Sequence, residues 1–271
     1  GVLRIENNAA HGTTAGSTTV ASGASLQFSG GITVTGESLT LTGEGAGSSG
    51  ALRNLSHNNE WAGPITVQAG QTGRIGVDSG SLTLSGPITF SGTQMGGFLV
   101  VHGAGVLNIT GDISGGTAGG ESVATSGNLS GTLNLSGANT YAGHTRINAG
   151  TISVAGGSAI PDASRVWLFG AGRLNLQANE TIGSLDSDAA GSQVVLNANT
   201  LTVGGDDTNR SFAGSISGAG GVTKIGAGIQ TLKGSGIAYQ GNTAVSGGRL
   251  VFEDATSFGN NQPGPTTMAV S

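Results

Sequence analysis

Four aspartates in the second half of the chain are the strongest candidates for chemistry. They are Asp186, Asp188, Asp206 and Asp207. Asp206 follows Asp186 by 20 residues, near the repeat length found below, and Arg210 is close in sequence. Carboxylates brought together in this way can cleave glycosidic bonds as general acid and base, or bind a cation. Aspartates at loop edges more often form solvated turns, and that is the interpretation we favour.

Other catalytic and metal-binding patterns are weak. A serine nucleophile needs a His base and an acid in register, and the nearest string, Val77-Asp78-Ser79-Gly80, lacks the Gly that should precede Asp. Gly204-Gly205-Asp206-Asp207 is a single partial match to a calcium-binding repeat, and it does not recur. We therefore predict no catalytic residues, no metal ion and no cofactor. The chain has four histidines: His11, His57, His102 and His144.

The composition narrows the classes of partner. The 271 residues include 53 Gly and no Cys, 9% are charged, and the net charge is −5. Nucleic acids and anionic membranes select a basic surface, so we predict neither as a partner. No apolar stretch approaches the roughly 18 residues of a transmembrane helix, so we predict no membrane insertion. Abundant Leu, Ile and Val with little charge favour a folded chain over a disordered one.

Short alternating patterns indicate strands rather than helices. The longest stretches without Gly or Pro, residues 51–62 and 192–203, have twelve residues each, which is marginal for a helix. Triplets of apolar, polar and apolar residues recur instead, and each places two side chains on one face of a strand. We expect the apolar members to point inward. Eight regular examples are Leu133, Leu135, Ile152, Val154, Leu174, Leu176, Leu201 and Val203.

A longer unit also repeats along the chain. An aromatic residue is followed two positions later by Gly, and four positions after that by a branched apolar residue. Such repetition is typical of a solenoid. Short strands between Gly and Asn turns favour an all-β parallel β-helix of about 12 coils at about 22 residues each. An antiparallel sandwich is the alternative, but it does not require this unit five times. Copies begin at Phe28, Trp61, Tyr141 and Tyr239, and Phe212 starts a fifth.

Several stretches carry a family resemblance. Residues 131–143, Gly-Thr-Leu-Asn-Leu-Ser-Gly-Ala-Asn-Thr-Tyr-Ala-Gly, and residues 211–228 resemble the passenger-associated repeat of autotransporters. The stretches 51–65 and 180–185 are similar to its variants, and the resemblance spans about residues 38–258. It implies a right-handed parallel β-helix that Gram-negative bacteria secrete through a C-terminal outer-membrane barrel.

The resemblance also implies an organisation. Residues 1–271 show no membrane-type barrel strands, so we expect a single β-helix segment of a longer passenger, with the translocator barrel absent. Gln230 stands where the family usually has Leu, which indicates a polar layer or a local bulge. We expect the Gly1 end and the stretch after Phe258 to fray or to pack against another molecule, because terminal coils lack one neighbour.

The expected function is that of a non-enzymatic scaffold outside the cell or at the bacterial cell surface. Autotransporter passengers include adhesins, toxins, proteases and esterases, so the fold does not decide the activity. Without a convergent titratable group, the chain fits an adhesin-type or self-associating passenger. Its partner would be a host or neighbouring-cell surface protein or glycan, or another copy. The alternative is a β-helical polysaccharide-degrading enzyme, or the stalk of a toxin or virulence factor. The binding residues stay unassigned.

One aromatic pair is open to two interpretations. In Val166-Trp167-Leu168-Phe169, the period of two places Val166 and Leu168 on one face and Trp167 and Phe169 on the other. One of the two pairs therefore lies outside the tube or under a covering loop. The alternatives are covered packing and an exposed contact patch.

Threonine and asparagine patterns are less informative. The pairs Thr33/Thr35 and Thr40/Thr42 resemble those of ice-binding solenoids, which require an uninterrupted Thr array, whereas Thr here is scattered among Ser, Asn and Gly. Asn-x-Ser/Thr strings occur at six asparagines, as chance allows in a chain rich in these residues. We predict that Asn108 and Asn134 are outward polar groups of strands. The six are Asn54, Asn108, Asn128, Asn134, Asn179 and Asn209.

Overall fold

The described part of the chain is all-β and almost entirely parallel-stranded. The computed structural model describes residues 1–10, 15–68, 70–91 and 98–253, so His11 and the stretch after Phe258 lie outside it. The described strands stack as a β-solenoid of about 11 turns, close to the 12 coils predicted. One short 3-10 turn, η1 (Ala46–Ser48), is present, and no helix in this part is long and apolar enough to span a membrane.

The chain divides into two compact units, Gly1–Gly143 and His144–Ser271. The prediction of one uninterrupted segment over residues 1–271 stays a prediction. In the first unit the described strands are β1 (Val2–Ile5), β2 (Ser17–Val20), β3 (Ser25–Phe28), β4 (Thr33–Val34), β5 (Ser38–Leu41), β6 (Leu52–Asn54), β7 (Asn58–Trp61), β8 (Ile65–Val67), β9 (Thr72–Val77), β10 (Ser81–Leu84), β11 (Ile88–Phe90), β12 (Phe98–Gly103), β13 (Val106–Ile109), β14 (Ile113–Gly115), β15 (Glu121–Thr125) and β16 (Thr132–Leu135).

The strands of the second unit are shorter on average. They are β17 (His144–Ile147), β18 (Thr151–Val154), β19 (Val166–Leu168), β20 (Arg173–Leu176), β21 (Glu180–Ile182), β22 (Leu185–Asp186), β23 (Gln193–Val195), β24 (Leu201–Val203), β25 (Arg210–Phe212), β26 (Ser215–Gly218), β27 (Val222–Lys224), β28 (Ile229–Leu232), β29 (Ile237–Tyr239), β30 (Thr243–Val245) and β31 (Arg249–Phe252).

Parallel ladders place like residues on like in the first unit. Leu82 of β10 pairs with Leu107 of β13, which pairs with Leu133 of β16. The outward neighbours follow the same register, and the hydrogen bonds between them join residues 25 and 26 positions apart. Two further ladders run through this unit, β1-β3-β6-β9-β12-β15 and β2-β5-β8-β11-β14. Each coil therefore contributes a strand to each of three faces.

The second unit uses shorter coils and more ladders. Ile152 of β18 pairs with Leu174 of β20, which pairs with Val194 of β23. Hydrogen bonds between successive coils join residues 20, 21 and 22 positions apart. The ladders are β17-β19-β22, β18-β20-β23-β26-β29, β21-β24-β27-β30 and β25-β28-β31.

The core consists of aliphatic layers, as the alternating triplets predict. All eight predicted inward residues, from Leu133 to Val203, are at most 1% exposed. The polar residue between the members of a pair faces outward and is half-buried, as Asn134 is between Leu133 and Leu135, except for Ser153, which is 8% exposed. Because burial of aliphatic surface contributes about 25 cal/mol per Å², these stacked layers supply the main driving force for folding.

The aromatic residues of the repeated unit are buried, and the Gly two positions later explains the spacing. A Cβ on Gly63 would lie 1.7 Å from the carbonyl oxygen of Glu37, and one on Gly214 would lie 2.3 Å from that of Ser192. Neighbouring coils therefore approach at this corner more closely than any side chain permits. Phe28 and Trp61 stack in the core with their ring centres 6.0 Å apart.

Gln230 forms a polar layer rather than a bulge. Its side chain is 2% exposed and reaches the backbone of Leu185. Nε2 donates to the Leu185 carbonyl oxygen at 2.8 Å, and Oε1 accepts from the Leu185 N–H at 3.1 Å. The ladder containing β22 ends at that strand, and β25 and β28 belong to another. The amide therefore supplies the hydrogen bonds that Leu185 lacks where one ladder gives way to the next.

Candidate functional site

The four candidate aspartates do not form one cluster, because they have different partners. Asp186 forms an ion pair with the Arg165 guanidinium, and its Oδ2 lies 3.7 Å from Nε of Arg210. Asp188 is exposed and its Oδ1 lies 3.4 Å from Nζ of Lys233. Among the described residues, no three His, Cys, Asp or Glu side chains are grouped as ligands for a metal ion. The carboxylates therefore have partners of their own.

Asp206 and Asp207 hold turns, as the interpretation from sequence favours. Oδ2 of Asp206 accepts from the Ser184 hydroxyl at 2.6 Å, and its Oδ1 accepts from the Thr208 N–H at 3.0 Å. Oδ1 of Asp207 accepts from the Ala227 N–H at 2.6 Å in the next coil. Both carboxylates therefore connect their turn to neighbouring coils by hydrogen bonds.

The sequence did not predict Lys224, an inward-facing lysine near these turns. Its side chain is 1% exposed, and Nζ donates to the carbonyl oxygens of Ile225 and Gly226. Burial lowers its pKa, while the carboxylates of Asp207 and Asp206 act in the opposite direction. The available signal is its place in the passenger-associated repeat, at the end of an apolar–Thr–Lys triplet.

The Asp78-Ser79 string does not form a catalytic triad. Asp78 accepts two-pronged hydrogen bonds from Arg53, the shortest at 2.7 Å. The Ser79 hydroxyl donates to the Leu55 carbonyl oxygen, 3.0 Å away. Nδ1 of His57 instead contacts the Ser56 hydroxyl at 2.9 Å. The three residue types are close in sequence but bonded to different partners.

His102 contacts a different serine. Its Nδ1 is 3.1 Å from the Ser126 hydroxyl. Burial lowers the pKa of His102, with a further lowering from Arg74, so the neutral ring is favoured. This histidine therefore serves as a hydrogen-bonding group between coils.

Trp167 and Phe169 lie on the outer face of the second unit. Val166 and Leu168 are at most 1% exposed, so they are the inward pair, whereas both aromatic rings are half-buried. Their ring centres are 4.4 Å apart at an angle of 45°. The structure therefore assigns the aromatic pair to the surface, which leaves it accessible to a partner.

Arginines surround these rings. The Arg165 guanidinium carbon is 4.1 Å from the centre of the Trp167 ring, and that of Arg146 is 4.5 Å from the centre of the Phe169 ring. Such cation–π contacts hold both partners in place. Strand register explains the grouping, because Arg146, Trp167 and Asp186 are paired across β17, β19 and β22. We call the following six residues the Arg–Trp patch: Arg146, Arg165, Trp167, Phe169, Asp186 and Arg210.

A shallow depression adjoins the patch at Arg210. Its volume is about 310 Å³. The lining combines hydroxyl, amide and guanidinium groups with one aliphatic side chain. Those residues are Asn209, Arg210, Ser211, Ile229 and Thr231. The outer face of β25 and β28 therefore offers hydrogen-bonding groups next to the positive charge.

The outer face of the first unit is different, because it carries a column of hydroxyls. Thr19, Thr40, Thr66 and Thr89 pair in register on successive strands, and Ser114 continues the column. The prediction that Thr is scattered was wrong for this face, because the register aligns residues more than 20 positions apart. The column is one residue wide, since Ser38, Pro64 and Pro87 flank it, so it is not a broad Thr array.

Asparagines form a second outward column in the same unit. Nδ2 of Asn134 donates to Oδ1 of Asn108 at 2.8 Å, and Nδ2 of Asn108 donates to the Thr83 hydroxyl at 3.5 Å. This confirms that Asn108 and Asn134 are outward polar groups. Asn54, by contrast, is fully buried and donates to the carbonyl oxygens of His57 and Ser79.

Glu180 is a buried carboxylate that sequence analysis left unassigned. It is 2% exposed, and its Oε1 accepts from the Ile160 N–H at 2.8 Å. Burial raises its pKa to about 7, although the backbone N–H groups of Ile160 and Ala159 act in the opposite direction. The nearby charge of Asp162 adds to the rise. The side chain anchors the loop between β18 and β19.

Comparison with known proteins identifies the class. The model of the passenger-associated transport repeat matches residues 130–154 and 222–252. These matches include the 131–143 stretch and the end of the 211–228 stretch, whereas 51–65 and 180–185 lie outside them. The chain is therefore a parallel β-helix of the autotransporter passenger type that carries two such repeats.

Two curated relatives are similar over part of the chain. One is the adhesin BmaC autotransporter of Brucella suis biovar 1 (strain 1330), 35% identical over 126 residues, which are 46% of this chain and 3% of that protein. Another is the uncharacterized lipoprotein YdeK of Escherichia coli (strain K12), 39% identical over 83 residues, which are 30% of this chain and 6% of that protein. The chain thus spans a few per cent of their lengths. No solved structure matches it significantly.

Proposed function

We propose that this chain is a non-enzymatic segment of an adhesin-type autotransporter passenger, exported to the bacterial surface. It acts by contact with a host or neighbouring-cell surface protein or glycan, or with another copy of itself. The similarity to the BmaC adhesin over 46% of the chain supports this role. Export is what the passenger class implies.

The Arg–Trp patch is the observation that carries the proposal. Trp and Arg are the residues most enriched among those that dominate binding energy in interfaces. Here Trp167 is half-buried on an outward sheet face, with Arg165 4.1 Å from its ring centre. Side chains held in this way lose little further freedom when a partner binds. An outward face also suits a macromolecular partner better than a small substrate.

The aspartates support the non-enzymatic part of the proposal. A glycosidase needs two carboxyl groups that face one sugar ring. Asp186 is held by arginines, while Asp206 and Asp207 accept hydrogen bonds from neighbouring coils. We expect no release of reducing ends from soluble polysaccharides, and no change in that result for the Asp186→Asn variant.

Surface display tests the adhesive role. The chain is displayed on a non-adherent Gram-negative bacterium, and retained cells are counted on arrays of glycans, on extracellular-matrix proteins, and on cells displaying the same chain. We expect retention on at least one surface relative to cells displaying an unrelated β-helix at equal density. No retention and no aggregation on any of them would overturn the proposal.

Sedimentation over a range of concentrations tests the self-contact arm separately. A concentration-dependent shift to larger species supports association between copies. A monomer at every concentration would exclude association between copies, and adhesion to other molecules would remain as the proposed role.

A further inference from the structure

We propose that the Arg–Trp patch binds an anionic saccharide, meaning a sugar chain that carries carboxylate or sulfate groups. This inference names the ligand of the site already described, and it rests on the proposed adhesive function. Three features of the second unit carry it: the charge balance around Asp186, the geometry of the aromatic pair, and the depression beside Arg210.

The charge balance around Asp186 favours a bound anion. Two guanidiniums, from Arg165 and Arg210, share this one carboxylate, so one positive charge is left over. The side chains of Arg165 and Asp186 are only 15% and 14% exposed. Nε of Arg165 and Nε of Arg210 are buried, and neither donates a hydrogen bond to any described residue. Charges in such a partly desolvated place interact more strongly than in water.

The chemistry of guanidinium selects the type of anion. A guanidinium presents its N–H groups in a planar fork that matches the oxygens of a carboxylate or a sulfate. Asp186 already demonstrates that a carboxylate fits between these two arginines. A ligand carboxylate or sulfate beside Asp186 would use the remaining charge.

The aromatic pair supplies the apolar part of the site. Trp167 and Phe169 are tilted by 45° at 4.4 Å and are half-buried on the outer face. A sugar ring has apolar C–H faces and polar edges, so it can pack its face on these rings while its charged group reaches the arginines. Rigid aromatic side chains provide this contact area at low entropic cost.

The depression provides the remaining hydrogen bonds. Its volume of about 310 Å³ is at the lower end for small-molecule sites, enough for part of a sugar chain. Asn209, Ser211 and Thr231 line it together with Arg210. Amide and hydroxyl groups are suitable partners for sugar hydroxyls. A chain of sugar rings can therefore extend from the aromatic pair past Asp186 into the depression.

The size of the surface favours a saccharide over an acidic protein. A stable protein interface covers roughly 800 Å² per partner, with about 20 to 30 residues on each side. The patch and the depression together comprise ten residues, six in the patch and four more in the depression. Binding of an acidic peptide is the competing outcome, and poly-L-glutamate tests for it.

Binding to the purified 271-residue chain tests the inference. The probes are a heparin oligosaccharide for sulfate, an oligogalacturonate for carboxylate, neutral dextran, and poly-L-glutamate as a charged polymer without sugar rings. We expect the heparin oligosaccharide, the oligogalacturonate or both to bind, and we expect no binding of dextran or poly-L-glutamate. Arg210→Gln and Trp167→Ala should each weaken binding by about tenfold or more.

Matched controls keep the result specific. Arg4→Gln removes the same charge from an exposed arginine of β1, and it should leave affinity within about twofold. Trp167→Phe keeps an aromatic ring, so it should retain most of the affinity. This variant replaces Trp167→Ala in the test if Trp167→Ala unfolds the chain. Binding should weaken as salt rises.

Several outcomes would overturn the inference. The inference fails if neither anionic sugar binds, or if poly-L-glutamate binds as tightly as they do. It also fails if Arg4→Gln and Arg210→Gln weaken binding equally. Failure of the proposed function is distinguishable. If displayed cells adhere but no anionic sugar binds, the saccharide inference fails alone. If displayed cells neither adhere nor aggregate, the adhesive function fails.

Discussion

The two units build different outer faces on similar inward layers. In the first unit, the outward positions of β2, β5, β8 and β11 form a column of threonine hydroxyls from Thr19 to Thr89. In the second unit, the outward positions of β17, β19 and β22 are Arg146, Trp167 and Asp186. The inward neighbours on these strands are mostly Leu, Ile and Val at most 5% exposed, and the exceptions are Thr18, Phe90 and Thr145.

The difference separates the residues that specify the fold from those able to carry function. Inward positions must fill a narrow tube, so their residue types vary little. Outward positions are restricted only by neighbours on the same face, and a single coil can therefore replace hydroxyls by charges and rings. Function on a β-helix is decided by such local replacements rather than by the fold.

The units also differ in coil length. Paired residues on successive coils are 21 to 27 positions apart in the first unit and 19 to 22 positions apart in the second. Longer connections lie on the surface, where they alter the corners without disturbing the stacked strands. The inward ladders are thus insensitive to coil length.

The largest effect should come from charge on the inward face. Leu135→Asp places an unpaired carboxylate in the core, which should cost about 4 kcal/mol or more of unfolding free energy. Thr132→Asp puts the same group on the outward face of β16 and should cost less than about 0.5 kcal/mol. Thermal melting measures both. Equal melting temperatures for the two variants would contradict the assignment of inward and outward faces.

The second-largest loss of stability should come from removing the polar layer that Gln230 forms in the second unit. Gln230→Ala leaves the N–H and C=O of Leu185 without their amide partner, which should cost about 2–3 kcal/mol. Gln230→Leu should also destabilise, because it restores volume but no hydrogen bond. Gln193→Ala, at an exposed glutamine of β23, is the control and should be near neutral. Urea unfolding compares them, and a stabilising Gln230→Leu would show that the amide is not needed.

A pH-dependent effect should distinguish Glu180 from the carboxylates on the surface. Its folded pKa of about 7 lies above its ordinary value of 4.5, so the folded chain holds this proton more tightly than the unfolded chain. Its contribution to stability is therefore fully present below about pH 4.5 and is lost as the pH rises through about 7. A pKa raised from 4.5 to about 7 corresponds to a total loss of about 3 kcal/mol.

Glu180→Gln isolates that contribution. His102 has a lowered pKa and acts with the opposite sign, because the unfolded chain then binds its proton more tightly. Subtracting the unfolding free energy of Glu180→Gln from that of the native chain removes the contribution of His102, because both chains contain that histidine. We expect the unfolding free energy of the native chain to fall more than that of Glu180→Gln between pH 4.5 and 7, because only the native chain loses the Glu180 contribution. Identical pH profiles would mean that Glu180 is not perturbed by burial.

The smallest effect should come from the threonine column. Thr66→Val removes one outward hydroxyl and keeps a β-branched side chain, so unfolding free energy should change by less than about 0.5 kcal/mol. Thr202→Val makes the same change on the outward face of β24. Melting curves measure both. A loss above about 1 kcal/mol from either would mean that the hydroxyl columns hold the coils together.

Much of the fold was predictable because its signals are local. The period of two identifies inward residues such as Leu133 and Leu135 from three adjacent letters. The aromatic–x–Gly unit follows from a steric limit at one corner, seen at Gly63. The predicted count of about 12 coils is close to the roughly 11 turns that the described strands form.

The candidate site was harder to predict because it depends on register between coils. Arg146, Arg165 and Arg210 are far apart in sequence and meet only when the ladders are aligned. The aromatic pair was recognised, but its arginine neighbours were not. Inward Glu180 and Lys224 also escaped prediction, since charged residues in strands ordinarily face outward, and their partners are loop backbone groups.

The most direct test compares adhesion through the two outer faces. Cells display the native chain, a patch variant with Trp167→Ala and Arg210→Gln, or a column variant with Thr40→Val and Thr66→Val, all at equal density and with melting temperatures checked beforehand. The account predicts that the patch variant loses about tenfold or more of the retained cells, whereas the column variant retains as many as the native chain. Loss of adhesion in the column variant with full adhesion in the patch variant would contradict it.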